Sequence, residues 1–229
     1  MAPVSSTSQT GRPRLWDGPT RLFHWTLVVL VAFSWWSGEE HEMEWHRWSG
    51  YGILALVVFR IFWGFAGPAT VRFARFVRGP ATVAAYARTL FKRGGEHVPG
   101  HNPLGGWSVV AMLAALAVMV TAGLFAVDVD GFESGPLATY ITFEQGRSAA
   151  EVHEVVFNVL LALIALHVIA IVFYRVWKGQ RLLPAMLHGR APDGVELSAD
   201  GMRVTWWKLA LGVILAGAIA WAAAQGFRF

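Results

Sequence analysis

Apolar and polar positions divide this chain into five long hydrophobic runs, at roughly residues 21–38, 46–66, 106–127, 152–175 and 206–225. An α-helix needs about 20 such residues to cross the hydrocarbon core of a bilayer. The first run is the shortest, but it ends in Trp35-Trp36, an anchor suited to the membrane interface. Backbone groups in lipid must be satisfied within their own segment, so the runs predict helices and not open strands. The predicted fold class is an all-α integral membrane protein with five transmembrane helices.

The polar stretches fill in the organisation. Residues 1–14 read as a disordered cytoplasmic tail, without the short apolar core of a signal peptide. The first four helices then occupy 15–192, a polar link 193–205, and the fifth helix 206–229. Residues 79–93, "GPATVAAYARTLFKR", predict a short amphipathic helix lying on the inner membrane surface. The following "GGEHVPGHNPLGG" reads as turns. Ser148-Ala-Ala-Glu151 has the form of a capping box that starts the fourth helix. No internal repeat is visible.

Charge gives the orientation. Lys and Arg gather in the N-terminal tail (Arg12, Arg14, Arg21), in the 67–105 loop (Arg72, Arg75, Arg78, Arg88, Lys92, Arg93) and in the 175–208 segment. The other two connections hold Arg47 and Arg147 among many carboxylates. The positive-inside rule therefore predicts a cytoplasmic N-terminus and a C-terminus on the outer side of the membrane. The net charge of +4 follows from this topology. No basic–aromatic nucleic-acid module accompanies it.

Composition narrows the chemistry. The chain is 55% hydrophobic, with 12 Trp among 229 residues and no cysteine. That rules out disulfides, thiolate metal sites and the C-x-x-C-H attachment of a c-type haem. Any cofactor must be held without a covalent link, and histidine is the natural ligand.

Four of the eight histidines, His41, His97, His101 and His188, fall in polar segments and take the ordinary reading of a solvated or locally bonded imidazole. The other four, His24, His46, His153 and His167, fall within or at the ends of the apolar runs, where ionisable groups are costly and mark function. His153 and His167 are 14 residues apart on one helix. At 3.6 residues per turn they share a face, within ~40°, at depths about 21 Å apart. His46 begins its helix at the outer end and His24 begins its helix at the inner end. Two pairs follow: His46 with His153 outside, His24 with His167 inside. Each offers one imidazole to either side of a haem iron, and the bundle supplies the apolar slot. Both axial positions are then filled, which suits electron transfer and leaves no place for a substrate.

Other residues fit around this pattern. Gly38, Gly50, Gly52 and Gly123 would let a flat macrocycle approach a helix, or would simply serve close helix packing. Arg47 and Arg60 are candidates for the outer and inner haem propionates; snorkelling is the alternative for both. Glu151, Glu154 and the loop around His101 are candidates for a quinone site. The segment "EEHEMEWH" (39–46) holds four glutamates and two histidines. Its His41 and His46 are five apart, which does not match the i, i+4 spacing of a zincin helix. With Asp128, Asp130 and Glu133, its glutamates form an acidic outer rim able to steer a basic redox partner. Gly212, Ala216, Ala220 and Ala224 form a small-residue stripe on the fifth helix, suited either to its own bundle or to a homodimer or second subunit. Two other functions draw on some of the same residues: a histidine-dependent metal-ion transporter, and a haem-free membrane anchor subunit.

The chain also resembles a known family, the bacterial cytochrome b561 group and the related b-type cytochrome subunit of nickel–iron hydrogenases. The matching stretches are "WDGPTRLFHW", "HRWSGY", "FRIFWGFAGPATVRFARFVRGP", "GHNPLGGWSVVAML", "EVHEVVFNVLLALIALHV" and "LLPAMLHGRAP", spanning about residues 14–192. The resemblance implies a four-helix bundle with two non-covalent b haems, one near each face, ligated by His24, His46, His153 and His167. It implies a bacterial inner membrane and electron transfer there between a quinone pool and a periplasmic haem protein or oxidoreductase subunit, the chain acting as a quinol oxidoreductase or as the cytochrome subunit of one. The fifth apolar run departs from the family pattern, as an additional C-terminal transmembrane helix beyond the four-helix transmembrane bundle.

Overall fold

The computed structural model describes residues 15–93, 100–191 and 204–228. The N-terminal tail, His97 and most of the 193–205 link lie outside the described residues. The ends of the bundle are called outer and inner here, following the charge pattern above.

The described chain is helical, with one isolated antiparallel bridge between Val127 and Ser134. Five long helices carry it: α1 (Gly18–Glu39), α2 (Met43–Ala66), α5 (Pro103–Phe125), α6 (Phe143–Val176) and α8 (Trp206–Ala224). Three short ones, α3 (Phe73–Phe76), α4 (Pro80–Arg88) and α7 (Leu183–His188), lie at the inner end. Helices α2, α5, α6 and α8 are long and apolar enough to cross a membrane. At 22 residues, α1 reaches about 33 Å, but His24, Ser34, Ser37 and three tryptophans dilute its apolar run. It nevertheless runs antiparallel to α2 along its full length. Trp63 donates to Asp17 at one end (2.9 Å), and His46 bonds the Ser34 carbonyl at the other (2.9 Å).

Helix ends follow local chemistry. The Asp17 side chain accepts from Thr20 N (2.7 Å) to cap α1, with Pro19 in the first turn. The same carboxylate holds the Trp63 indole, so "WDGP" ties the start of α1 to the end of α2. Helix α6 begins nine residues before the apolar run. Its capping box is Thr142 with Gln145, not Ser148 with Glu151, which lie inside the helix. The reciprocal bonds (3.2 and 3.0 Å) satisfy two orphan backbone donors in the polar loop, so the helix starts there and projects past the membrane surface. The amphipathic helix expected at 79–93 is shorter, Pro80–Arg88.

Packing arranges the helices as two antiparallel hairpins, α1–α2 and α5–α6, with α2 against α5 and α8 against α2. Neither α1 nor α2 makes an extensive backbone contact with α6, which leaves a cleft along that side. The cleft is closed in the middle. Ile53 and Leu160, each 1% exposed, meet Val57, Leu116, Met119 and Val120 in a single apolar cluster. The outward face of α6 (Val155, Leu166, Ile169, Val176) is exposed and apolar, as lipid contact requires.

The small stripe of α8 lies against its own bundle. Gly212, Ala216 and Ala220 are buried, and a Cβ at Gly212 would come within 2.7 Å of the Phe62 ring. The stripe therefore offers no docking face for a second copy or subunit. Beyond α8, Tyr140 donates to the Gly226 carbonyl (2.7 Å) and Arg228 to Thr139 (2.8 Å), pinning the last residues to the α5–α6 connection. Overpacking typically costs about 1–3 kcal/mol. Gly212→Val is thus expected to lower the thermal midpoint in detergent, whereas Gly217→Val, with open space around it, leaves it unchanged.

Candidate functional site

The outer pair is built by two similar hairpins. His46, early in α2, turns its ring onto the last turns of α1, and His153, in α6, turns onto the last turns of α5. Each places Nδ1 on a helix carbonyl: His46 on Ser34 O (2.9 Å), His153 on Met119 O (2.8 Å). Those carbonyls already accept helical bonds from the residues four positions on, which are Gly38 and Gly123. An added Cβ would lie 3.2 Å from the His46 ring at Gly38 and 3.0 Å from the His153 ring at Gly123. The glycines thus make room for an imidazole to reach a carbonyl that a side chain would shield. Sequence reasoning gave both glycines to the macrocycle or to helix packing. It missed this role, although each glycine lies four residues after a carbonyl acceptor. Gly52 serves packing, against Leu30, while Gly50 has open space and lines the cavity.

With Nδ1 committed, Nε2 of each ring is the nitrogen left to ligate, the usual tautomer control of a metal-bound histidine. The ring centres are 5.9 Å apart. Imidazole–metal bonds of about 2 Å, plus roughly 1 Å from each nitrogen to its ring centre, require about 6 Å. The pair fits an iron held from both sides. A cavity of about 410 Å³ surrounds the two rings, lined by apolar Val31, Ile53, Val120 and Phe157. Its rim carries Glu39, Arg47, Asp128, Glu133 and Glu154. Arg47 is ion-paired with Glu133 across the cavity mouth, so an outer propionate would share it with that carboxylate. Glu154 lines the cavity; Glu151 is exposed and does not. Among the described residues no three His, Asp or Glu side chains converge as a site for a bare metal ion.

The inner pair lies on the other side of the Ile53–Leu160 layer. His24 and His167 are within electrostatic range of each other. His24 Nδ1 is buried without a hydrogen-bond partner. Arg60, 3% exposed, lies at the same end of the bundle. Its guanidinium stands 5.0 Å over the Phe73 ring, and its Nη2 donates to Val71 O at 3.4 Å, while Nη1 is buried with no partner. Phe73 reaches it because α2 carries Gly64, where a Cβ would strike that ring.

His101, expected to be an ordinary loop imidazole, belongs to this end of the bundle. Its ring lies 4.7 Å from both Trp16 and Phe76, and its Nδ1 is buried without a partner. Burial pushes its pKa down to about 3, with Arg60 and His167 adding to the effect. The turn-rich sequence around it hid this, because the burial comes from α3 and the chain before α1. His41 and His188 are exposed, as expected. His41 sits in the α1–α2 turn with φ +59°, outside the cavity lining. Glu39, Glu40, Glu42 and Glu44 are exposed around it, forming the acidic outer surface.

The family described as prokaryotic cytochrome b561 matches residues 15–189, which takes in all four membrane histidines and ends before α8. No curated protein and no solved structure matches the chain.

The glycine–carbonyl–imidazole arrangement makes a direct prediction. Gly123→Val pushes the His153 ring off the Met119 carbonyl and is expected to lower haem bound per polypeptide, measured as the pyridine haemochrome. Gly217→Val, on the lipid face, keeps the wild-type haem content.

Proposed function

The chain belongs to the prokaryotic cytochrome b561 family, membrane b-type cytochromes of electron transfer, and from that premise we propose that it holds two b haems and passes electrons between them across the membrane. His46 and His153 hold the outer one; His24 and His167 hold the inner one. The observation that carries this reading is the outer pair: two rings 5.9 Å apart, each with Nδ1 bonded to a helix carbonyl.

Bound haem supplies a one-electron ferric/ferrous couple, and the protein supplies everything else. The four histidines would supply two ligands to each iron, which would leave neither open to substrate. The carbonyls of Ser34 and Met119 fix the outer tautomers and raise the basicity of the ligating nitrogens. Arg47 stands at the outer rim, where it balances negative charge together with its partner Glu133. The 14-residue separation of His153 and His167 on α6, about 21 Å along the axis, would hold the two haems at two depths of the membrane, where they would supply a path for electrons. The Ile53–Leu160 layer excludes water and ions from the space between.

The redox partners are a quinone pool and a periplasmic redox protein or oxidoreductase subunit. The bilayer itself presents quinol to the open cleft along α6. The exposed carboxylates 39–44, with Asp130 and Glu133, give the outer face the charge that attracts a basic docking surface. The described Lys and Arg of α3, α4, the inner end of α6 and the start of α8 gather at the opposite end. That supports an inner-membrane protein with a cytoplasmic N-terminus and a periplasmic C-terminus.

Purified protein is expected to carry two haems per polypeptide by pyridine haemochrome and to be reduced by a quinol. His153→Ala and His24→Ala each remove one haem, and the double variant removes both. Wild-type protein that binds no haem would sink the proposal.

A further inference from the structure

Besides His24 Nδ1, the buried nitrogens left without a partner at the inner end include two whose side chains interact electrostatically. Arg60 Nη1 and His101 Nδ1 are both fully buried and both unbonded. They come from separate elements, α2 and the loop before α5. An unpaired guanidinium N–H at membrane depth costs more than an ordinary unsatisfied donor. The nearby carboxylate does not supply the missing bond. Asp17 is within electrostatic range of Arg60, but its oxygens accept from Thr20 N and Trp63 Nε1. Two unbonded nitrogens on electrostatically interacting side chains call for an acceptor that carries negative charge and enters from outside the chain.

We infer that Arg60 and His101 together form a carboxylate-binding pocket on the inner side of the inner haem, receiving a propionate of that haem. This rests on the dihaem reading above and goes beyond it by adding His101, which that reading leaves idle.

Placement agrees. Arg60 follows His46 by 14 residues, as His167 follows His153, so it sits at the depth of the inner pair. His101 lies two residues before α5 begins, on the inner side of that level. A carboxylate there faces the membrane surface, where the edge of a macrocycle carrying two charged groups is most easily accommodated. Neighbouring rings also prepare the donors. Phe73 holds the guanidinium from one side, and Trp16 and Phe76 clamp the imidazole edge-on and tilted. Asn102, next in sequence, caps α5 through Gly105 N (2.8 Å) and fixes the backbone that presents His101. A neutral imidazole has one N–H to give, and Nδ1 is the ring nitrogen left buried without a partner. Arg60 gives charge and His101 gives direction.

The test uses purified holoprotein with Arg60→Met, Arg60→Lys, His101→Leu and His101→Gln. Two readouts are taken for each: haem per polypeptide, and a potentiometric titration that resolves the two haems. The inner haem is identified as the one that His24→Ala removes. Arg60→Met and His101→Leu are expected to lower the potential of the inner haem alone, or to release that haem alone, because the propionate charge is no longer balanced. Arg60→Lys and His101→Gln keep both haems and stay closer to the wild-type potential. No change in any variant, or an equal change at both haems, overturns the pocket. Wild-type protein with a single haem overturns the dihaem reading instead, and the pocket falls with it.

Discussion

An imidazole inside a membrane must have both nitrogens provided for, and the outer half of this protein is arranged around that requirement. Lipid offers no hydrogen bond, so each ring must find its partner on a neighbouring helix. The partner here is a backbone carbonyl, Ser34 O or Met119 O. A helix carbonyl is normally screened by the side chain four residues later. Glycine at 38 and at 123 removes that screen. One nitrogen is thereby fixed and the other is freed for a ligand. The ring spacing of 5.9 Å follows from where two hairpins place two such carbonyls.

The rest of the bundle keeps this arrangement separate from a second one. On α6, Leu160 lies midway between His153 and His167; on α2, Ile53 lies midway between His46 and Arg60. Seven residues is close to two helical turns, so these side chains share the face of the functional groups and fill the space between them. A single apolar layer separates the outer cavity from the inner histidines, two ends with different polar settings. The outer one opens toward carboxylates. The inner one holds a buried arginine and a neutral histidine, whose guanidinium and imidazole have donors to spare. A positive charge buried at one end and carboxylates around the other set different electrostatic environments for the two histidine pairs. α8 stiffens the frame by packing its small residues on Phe59 and Phe62 and fastening its end to the α5–α6 connection.

Much of this was legible in the chain. Apolar run lengths located the spanning helices, and the 3.6-residue period put His153 and His167 on one face. The two depth pairs follow from that period and from where each run begins. Most of the misses share a physical cause, a partner distant in sequence; the start of α6 is the exception, a local signal outside the apolar run. The start of α6 was set by a Thr142–Gln145 capping box in a polar loop that hydrophobicity does not mark. The burial of His101 came from Trp16 and Phe76, which lie 85 and 25 residues away in the chain. The α8 stripe left two docking choices open, and the choice was made by the aromatic rings of α2. Arg47 was assigned to a propionate without its companion Glu133, which lies across the loop after α5.

The central claim is that each histidine pair grips one iron from both sides. Electron paramagnetic resonance of the oxidised protein, calibrated against total iron, tests it most directly. The account predicts two irons per polypeptide, both low-spin and six-coordinate, with two distinguishable signals from the two ends of the bundle. A stoichiometric high-spin signal in the wild-type protein would show an iron with an open axial position and would contradict it.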